Sequence, residues 1–266
     1  MTGTREEAAP DKFAEYYREA SLTDEAMARF LSIRDLVGNA LDQQGRSGEL
    51  LDVADIGCAA GTQSMIWAKD GHRVQGIDIN ETLIEIATER AKEEGLSIEY
   101  LLGTAEDLPW PDSSFDVCLV PELLEHVPNW SGCLSELARI LRPGGILFLS
   151  TNNVLCPKQQ EFDLPLYSWY PAPLKRHYEK LAVTTRPELV NHAKFPAVHW
   201  FSFYSLRRAF AELGMSTQDR FDAMNIDSKG ALHRVLIPAI RALPPLRFLA
   251  HVFTPYTSVI ATKESS

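Results

Sequence analysis

Asp55-Ile56-Gly57-Cys58-Ala59-Ala60-Gly61 separates a short apolar run, Leu51 to Ile56, from a helical stretch, Gln63 to Lys69. The apolar run reads as a strand and the heptapeptide as a tight strand-to-helix turn. Glycine permits such a turn and lets backbone approach a ligand closely. The following helix then aims free N–H groups at a carboxylate or phosphate. A dinucleotide site calls for G-x-G-x-x-G, whereas here Gly57 and Gly61 enclose three residues and an acid stands two places before the first glycine. That pattern favours a different nucleoside ligand; a purely structural turn is the alternative reading.

The same rhythm continues on the C-terminal side. Arg73 to Asp78 is strand-like, and Glu81 to Glu94 is a helix with Leu83, Ile84, Ile86, Ala87 and Ala91 at its apolar positions. Ile98 to Leu102 and Phe115 to Val120 follow as strands, the second nearly all apolar, as a strand covered on both faces requires. Ser131 to Leu141 is a helix, Arg142-Pro143-Gly144-Gly145 a sharp stop, and Ile146 to Ser150 a fifth strand. Such alternation predicts an α/β fold with a doubly wound, mainly parallel sheet. Upstream, about Phe13 to Leu41 reads as helices, with Thr23 or Asp24 as a cap. Downstream, Ser205 to Leu213 is helical and a strand follows Gly214. Ala231 to Phe253 is apolar but broken by Pro238, Pro244 and Pro245, and Tyr256 to Thr262 is the last strand.

The chain has 266 residues, 45% hydrophobic, which excludes bulk disorder and supplies a full core. Lys+Arg is 26 against Asp+Glu 36, a formal net charge of -10. A protein tracking nucleic-acid phosphates carries more positive charge than this, so no nucleic-acid partner is expected. Cys58, Cys118, Cys133 and Cys156 form no C-x-x-C pair, which argues for reduced, buried thiols. The polar, acidic N-terminal stretch has no apolar signal region, and no long uncharged apolar run occurs, so the cytoplasm is the expected compartment.

In an open parallel sheet, ligands bind beyond the carboxyl ends of the strands. Asp78 ends the second strand about twenty residues after the glycine turn, where a carboxylate accepts from both ribose hydroxyls. Its alternative is a helix cap, since Asp78 and Asn80 both precede a helix. After the third strand, Gly103-Thr104-Ala105-Glu106-Asp107-Leu108-Pro109 offers an acid for an adenine amino group and a backbone N–H at Ala105 for a ring nitrogen.

The series DIGCAAG, GIDIN, GTAEDLP, FDVCLVPELLEHV and LARILRPGGILFLST resembles the class I S-adenosylmethionine-dependent methyltransferases, over about Leu51 to Thr151. The resemblance implies a Rossmann-like fold of seven strands with S-adenosyl-L-methionine as cofactor. It implies that Asp55, Gly57, Ala59 and Gly61 line the methionine part, Asp78 holds the ribose and Ile79 packs on the adenine. Glu106 or Asp107 reaches the adenine amino group with Ala105 beside it, and Pro121 and Leu123 sit by the cofactor. Ala59 stands where the family usually has glycine.

Glu122-Leu123-Leu124-Glu125-His126-Val127-Pro128 looks like a stretch of the ubiquinone-pathway catechol O-methyltransferases. In a helical turn Glu122, Glu125 and His126 share a face, and two carboxylates with an imidazole form a candidate site for a divalent metal such as magnesium. The alternative is the L-E-H-V common to the superfamily. Without a metal, His126 is the candidate general base. Where the ubiquinone-pathway group has an arginine after the fifth strand, this chain has Ser150-Thr151-Asn152-Asn153.

Residues 1–48 read as an N-terminal helical cover, 49–151 as the cofactor-binding core, 152–200 as a lid-like, substrate-covering insertion and 201–266 as the rest of a single domain. Phe162, Leu164, Leu166, Tyr167, Trp169, Tyr170, Phe195, Trp200, Phe201 and Phe203 make either an apolar acceptor pocket or a local core under a long excursion. His177, His192 and His199 read as structural or surface residues. Lys175-Arg176-His177 with Arg234, Arg241 and Arg247 reads as a solvated face, with contact to an anionic membrane surface as its rival. The expected activity is methyl transfer to a small, hydrophobic or aromatic acceptor, most simply at oxygen. A cofactor-binding scaffold without catalysis is the alternative. Nucleic-acid methylation lacks the N-P-P-Y-type amine motif.

Overall fold

The computed structural model describes residues 20–159, 162–189, 197, 199–226 and 230–265. Phe195, His192 and the start of the helix expected from Phe13 lie outside them. In chain order the elements are α1 (Asp24–Gln43), β1 (Asp52–Ile56), α2 (Thr62–Lys69), β2 (Arg73–Asp78), α3 (Glu81–Glu93), β3 (Ile98–Leu102) and β4 (Phe115–Pro121). Then come α4 (Trp130–Ile140), β5 (Leu141–Asn152), α5 (Ala172–Thr184), α6 (Phe203–Glu212), β6 (Met215–Asp219), α7 (Arg220–Ala223), α8 (Ala231–Ala242), α9 (Pro244–Val252) and β7 (Tyr256–Lys263).

The seven strands form one sheet in the order β3-β2-β1-β4-β5-β7-β6. The pairs from β3 to β5 are parallel, while β7 runs antiparallel to both β5 and β6. From β1 the chain winds outward to β2 and β3, then returns to the other side of β1 as β4. This reversal opens a crevice at the carboxyl ends of β1 and β4.

Period-two alternation feeds two cores. In β4, Val117 and Leu119 join Ile33, Val37, Leu41 and Trp67 of α1 and α2 on one face. Cys118 and Val120 join Leu134 and Leu137 of α4 and Phe210 of α6 on the other. The strand is therefore buried on both sides, which is why its residues are apolar throughout. Thr23 starts α1, its hydroxyl accepting from the Ala26 amide at 3.4 Å.

Arg142-Pro143-Gly144-Gly145 is not a stop before the strand. It lies within β5 as an irregularity, since Phe115 pairs with Leu141 while Val117 pairs with Ile146. Gly144 takes φ +77°, and Arg142 Nη1 reaches Asp52 at 2.7 Å and Asp116 at 2.5 Å. Pro238 does not break its helix either. It sits on the solvent side of α8, and the chain bends instead at Leu243-Pro244.

The insertion forms a small cluster of its own. Phe162, Tyr167, Ala182 and Leu189 are buried together with Leu164, Tyr170 and Trp200 against them. Phe162 stacks on Tyr167 with ring centroids 4.1 Å apart. Phe201 and Phe203 belong to the main core, and Leu166 and Trp169 are about half exposed. Of the two readings of these side chains, the local core describes how they pack.

Candidate functional site

Four parallel strands deliver their following loops to one edge, and side chains join those loops. The loop after β1 meets β2 at both ends of Asp78. Its Oδ2 accepts from the Ala59 amide at 2.9 Å and its Oδ1 from the Asn80 amide at 2.8 Å. Asn80, not Asp78, caps α3, its side chain accepting from the Leu83 amide at 3.3 Å. The cap alternative for Asp78 therefore fails. Burial pushes the Asp78 carboxyl up, against the amides of Asn80, Ala59 and Ile79 that hold it down. Each oxygen still has a lone pair for a hydroxyl.

Asp55 is wholly buried at the end of β1. The Ser64 hydroxyl donates to its Oδ2 at 2.5 Å, and its Oδ1 has no hydrogen-bond partner among the described residues. Burial pushes this carboxyl up to about 7, opposed by Ser64 and reinforced by the negative charge of Asp78. Thr62 Oγ1 and both side-chain polar atoms of Gln63, at the mouth of α2, are likewise buried without partners. Buried polar groups are rarely left so, and a polar ligand at this turn is the chemistry that satisfies them.

The turn itself is left-handed at three residues: Gly57 at φ +73°, Ala59 at +46° and Gly61 at +76°. A Cβ on Gly57 would stand 3.0 Å from Leu123 Cδ1, so Leu123, after β4, packs over that glycine. A Cβ on Gly61 would collide with the Tyr100 hydroxyl and come within 2.9 Å of Ala87 Cβ. Ala59 bears its methyl group in a conformation that favours glycine, the physical reason a glycine suits that place.

After β3, Ala105 is buried and Asp107 exposed. Glu106 Oε1 accepts from the Asn129 amide at 2.7 Å, joining this loop to the one after β4. Ile79 holds its apolar side chain 77% exposed beside Asp78, a surface fit for a planar ring. Pro121 ends β4 opposite Ser150. Direct contacts thus join Ala59 to Asp78 and bring Leu123 over Gly57, while Asp55 is held by Ser64 and Glu106 by Asn129.

The expected cation triad is corrected. Glu122 takes φ +54° and leaves the helical path before a 3-10 turn, Leu124–His126. Helical spacing therefore does not align the three side chains. The Glu122 carboxylate receives Arg29 Nη1 at 2.9 and 3.0 Å. Among the described residues no group of three or more His, Cys, Asp or Glu is placed to hold a metal ion. His126 Nδ1 is buried with no hydrogen-bond partner among them. His199 comes back from the insertion to this loop, its amide donating to Glu125 O at 3.1 Å and its Nε2 lying 3.2 Å from Pro128 O.

Residues 54–149 match a family described as a methyltransferase domain. Over that stretch, about a third of the chain, the protein is similar to a methyltransferase domain. Within that stretch, the turn after β1, Asp78 and Ile79 are where the buried orphaned polar atoms and the exposed apolar side chain fit the cofactor. The chain is 43% identical over 105 residues to a ubiquinone biosynthesis O-methyltransferase of Agrobacterium fabrum, covering 40% of this chain and 42% of that protein. It is 40% identical over 101 residues to the same-named protein of Coxiella burnetii, covering 38% of this chain and 43% of that one. The chain therefore spans less than half the length of these curated relatives. A methyltransferase structure from Methanosarcina mazei has a TM-score of 0.53 at 22% identity, covering 85% of this chain and 98% of that one. The PH0226 protein of Pyrococcus horikoshii has a TM-score of 0.56 at 16% identity, covering 94% and 99%. Both likenesses concern the fold.

Sequence reading missed Arg29, Ser64, Thr62, Gln63 and Tyr100. Ser64 and Tyr100 act through contacts across nine and about forty positions, and no motif spacing marks them. Thr62 and Gln63 were legible in principle as polar residues on an otherwise buried first turn.

Proposed function

We propose that this protein moves the methyl group of S-adenosylmethionine to a small, hydrophobic or aromatic acceptor, at oxygen. The observation that carries the reading is Asp78. Its carboxylate accepts from the Ala59 amide of the glycine turn and from the Asn80 amide, with exposed Ile79 beside it. In this reading Asp78 takes the ribose hydroxyls and Ile79 covers the adenine. The Ala105 amide and Glu106 or Asp107 recognise the base edge. Asp55, Gly57, Ala59 and Gly61 surround the methionine end, and Pro121 and Leu123 close it. The family relation to O-methyltransferases supports oxygen as the acceptor atom.

When bound, the cofactor supplies a methyl group already activated as a sulfonium. The chain's residues have to align the acceptor and exclude water. His126 is the base we assign to the acceptor hydroxyl, because its Nδ1 is desolvated and unengaged by any described residue. The insertion, residues 152–200, covers the acceptor in this reading, which is supported by the His199 amide donating to the Glu125 carbonyl in the His126 turn. A reducing, cytoplasmic setting is the one we assign, supported by the four buried, unpaired cysteines.

Calorimetry with S-adenosylmethionine and S-adenosylhomocysteine tests the reading. Both bind the unaltered chain, and Asp78→Ala weakens each by at least ~10-fold, through lost hydrogen bonds to a charged acceptor. Failure of the unaltered chain to bind either at millimolar concentration overturns it. Product from a panel of phenolic acceptors, lost in Asp78→Ala, separates an enzyme from a scaffold that merely binds the nucleoside.

A further inference from the structure

α1 is held in two different ways along its length. Its second half is packed: Ile33, Val37, Ala40 and Leu41 are buried against Trp67 of α2 and against β4 and β5. From Ser21 to Ser32 no side chain is buried. That first half, with the 3-10 turn Ala20–Leu22 before it, rests instead on polar ties at two places. Arg29 Nη1 donates to both oxygens of Glu122 at 2.9 and 3.0 Å, and the Phe30 ring lies 5.1 Å from the same guanidinium. Arg90 Nη1, from α3, donates to the Ser21 hydroxyl at 3.2 Å and to the Ala60 carbonyl at 3.1 Å.

The two anchor points belong to the two sides of the crevice. Ala60 lies in the glycine turn after β1. Glu122 is the first residue after β4, one place before Leu123, which packs over Gly57. β1 and β4 are hydrogen-bonded neighbours, so the first half of α1 is fastened to both lips of the crevice. Glu122 sits at φ +54°, a conformation that a side chain disfavours, so it has strain to release when its tie opens. The ion pair is exposed, its side chains 48% and 33% accessible, and a pair of that kind is worth a factor of about 2–5 in an equilibrium. Half a helix with no buried side chain, held by bonds this weak, opens locally more readily than the packed half.

We propose that the first half of α1 is a clasp across the crevice and that Arg29 is the positioning residue that keeps it shut. The nucleoside enters and leaves when the Arg29–Glu122 tie opens and the helix lifts about the point where its burial begins, at Ile33. The inference rests on the placement of S-adenosylmethionine proposed above. Neither tie includes a group assigned to the cofactor. Losing a tie therefore changes how fast ligand crosses the entrance and leaves the contacts beneath it intact, so entry and exit rates rise together and their ratio is kept. Salt screens an exposed pair, so salt opens the clasp. An ion pair that served stability alone would alter neither rate.

The full chain is mixed with S-adenosylhomocysteine in a stopped-flow instrument, with tryptophan fluorescence as the signal, since Trp130 opens α4 just beyond the Glu122 loop. This ligand is neutral overall, so its own response to salt is small. Calorimetry supplies Kd. In the unaltered chain both rates rise with salt. In Arg29→Ala both are ~3-fold faster at low salt and no longer respond to it, while Kd stays within ~2-fold. Glu122→Gln, which keeps the shape and drops the charge, behaves alike, and Arg29→Glu combined with Glu122→Arg restores the slow, salt-sensitive rates. Ser21→Ala, at the other tie, also quickens both rates. None of these side chains is buried, and a cooperative melt shows that the fold is kept. Unchanged rates in Arg29→Ala, or a raised Kd with an unchanged entry rate, overturn the clasp and leave the methyl-transfer reading standing. An unaltered chain that binds no S-adenosylhomocysteine overturns both.

Discussion

Asp55→Asn replaces a buried carboxyl by a neutral group of the same shape. The native carboxyl keeps its proton up to about 7, against an ordinary value of 3.8. Between those values the native state binds more protons than the unfolded chain, so stability falls as pH rises. Below 3.8 the group is neutral in both states and contributes nothing; above about 7 the whole cost is present. At about 1.4 kcal/mol per tenfold in proton affinity, that interval amounts to about 4 kcal/mol. The asparagine carbonyl still accepts from Ser64, so the variant escapes the charge cost and keeps the hydrogen bond. Urea denaturation from pH 5 to pH 8.5 therefore shows a steeper decline in the unaltered chain than in Asp55→Asn. The variant is the more stable by up to about 4 kcal/mol at the alkaline end. A variant less stable at pH 8.5, or parallel pH profiles, refutes the reasoning.

Two changes at the glycine turn probe its geometry. Ala59→Gly removes a methyl group held at φ +46°; thermal melting shows no loss and a gain of up to ~1 kcal/mol, whereas a loss above that contradicts the strain argument. Gly61→Ala drives a Cβ into the Tyr100 hydroxyl at φ +76°. Denaturation shows a loss of ~2–4 kcal/mol, partly recovered by Tyr100→Phe, and a neutral outcome refutes the packing.

Much of the sheet was legible because its strands are short apolar runs punctuated by glycine and acid, and each is decided by its own residues. Asp55, Gly57 and Asp78 stand out in the sequence for the same reason: they lie at or beside the ends of β1 and β2. Two local readings failed where a distant partner intervened. Arg142 to Gly145 reads as a stop, yet ion pairs from Arg142 to Asp52 and Asp116 hold it inside β5. Glu122, Glu125 and His126 have helical spacing, yet Arg29 draws Glu122 away, 93 positions distant.

By itself the sequence determined the alternation of strand and helix, the turn at Gly57 and Gly61 and the acid at the end of β2, because backbone preference and side-chain periodicity act over a few residues. Tertiary structure decided that Asn80 rather than Asp78 caps α3, that Asp55 is sealed from water, that the insertion's aromatics pack on each other, and that Arg241 and Arg247 face inward, onto the Phe221 and Met224 carbonyls and the Asp219 carboxylate, instead of forming a solvated basic face. Each of these depends on which surfaces meet across the fold, and burial and pairing are properties of that meeting, not of the chain's local order.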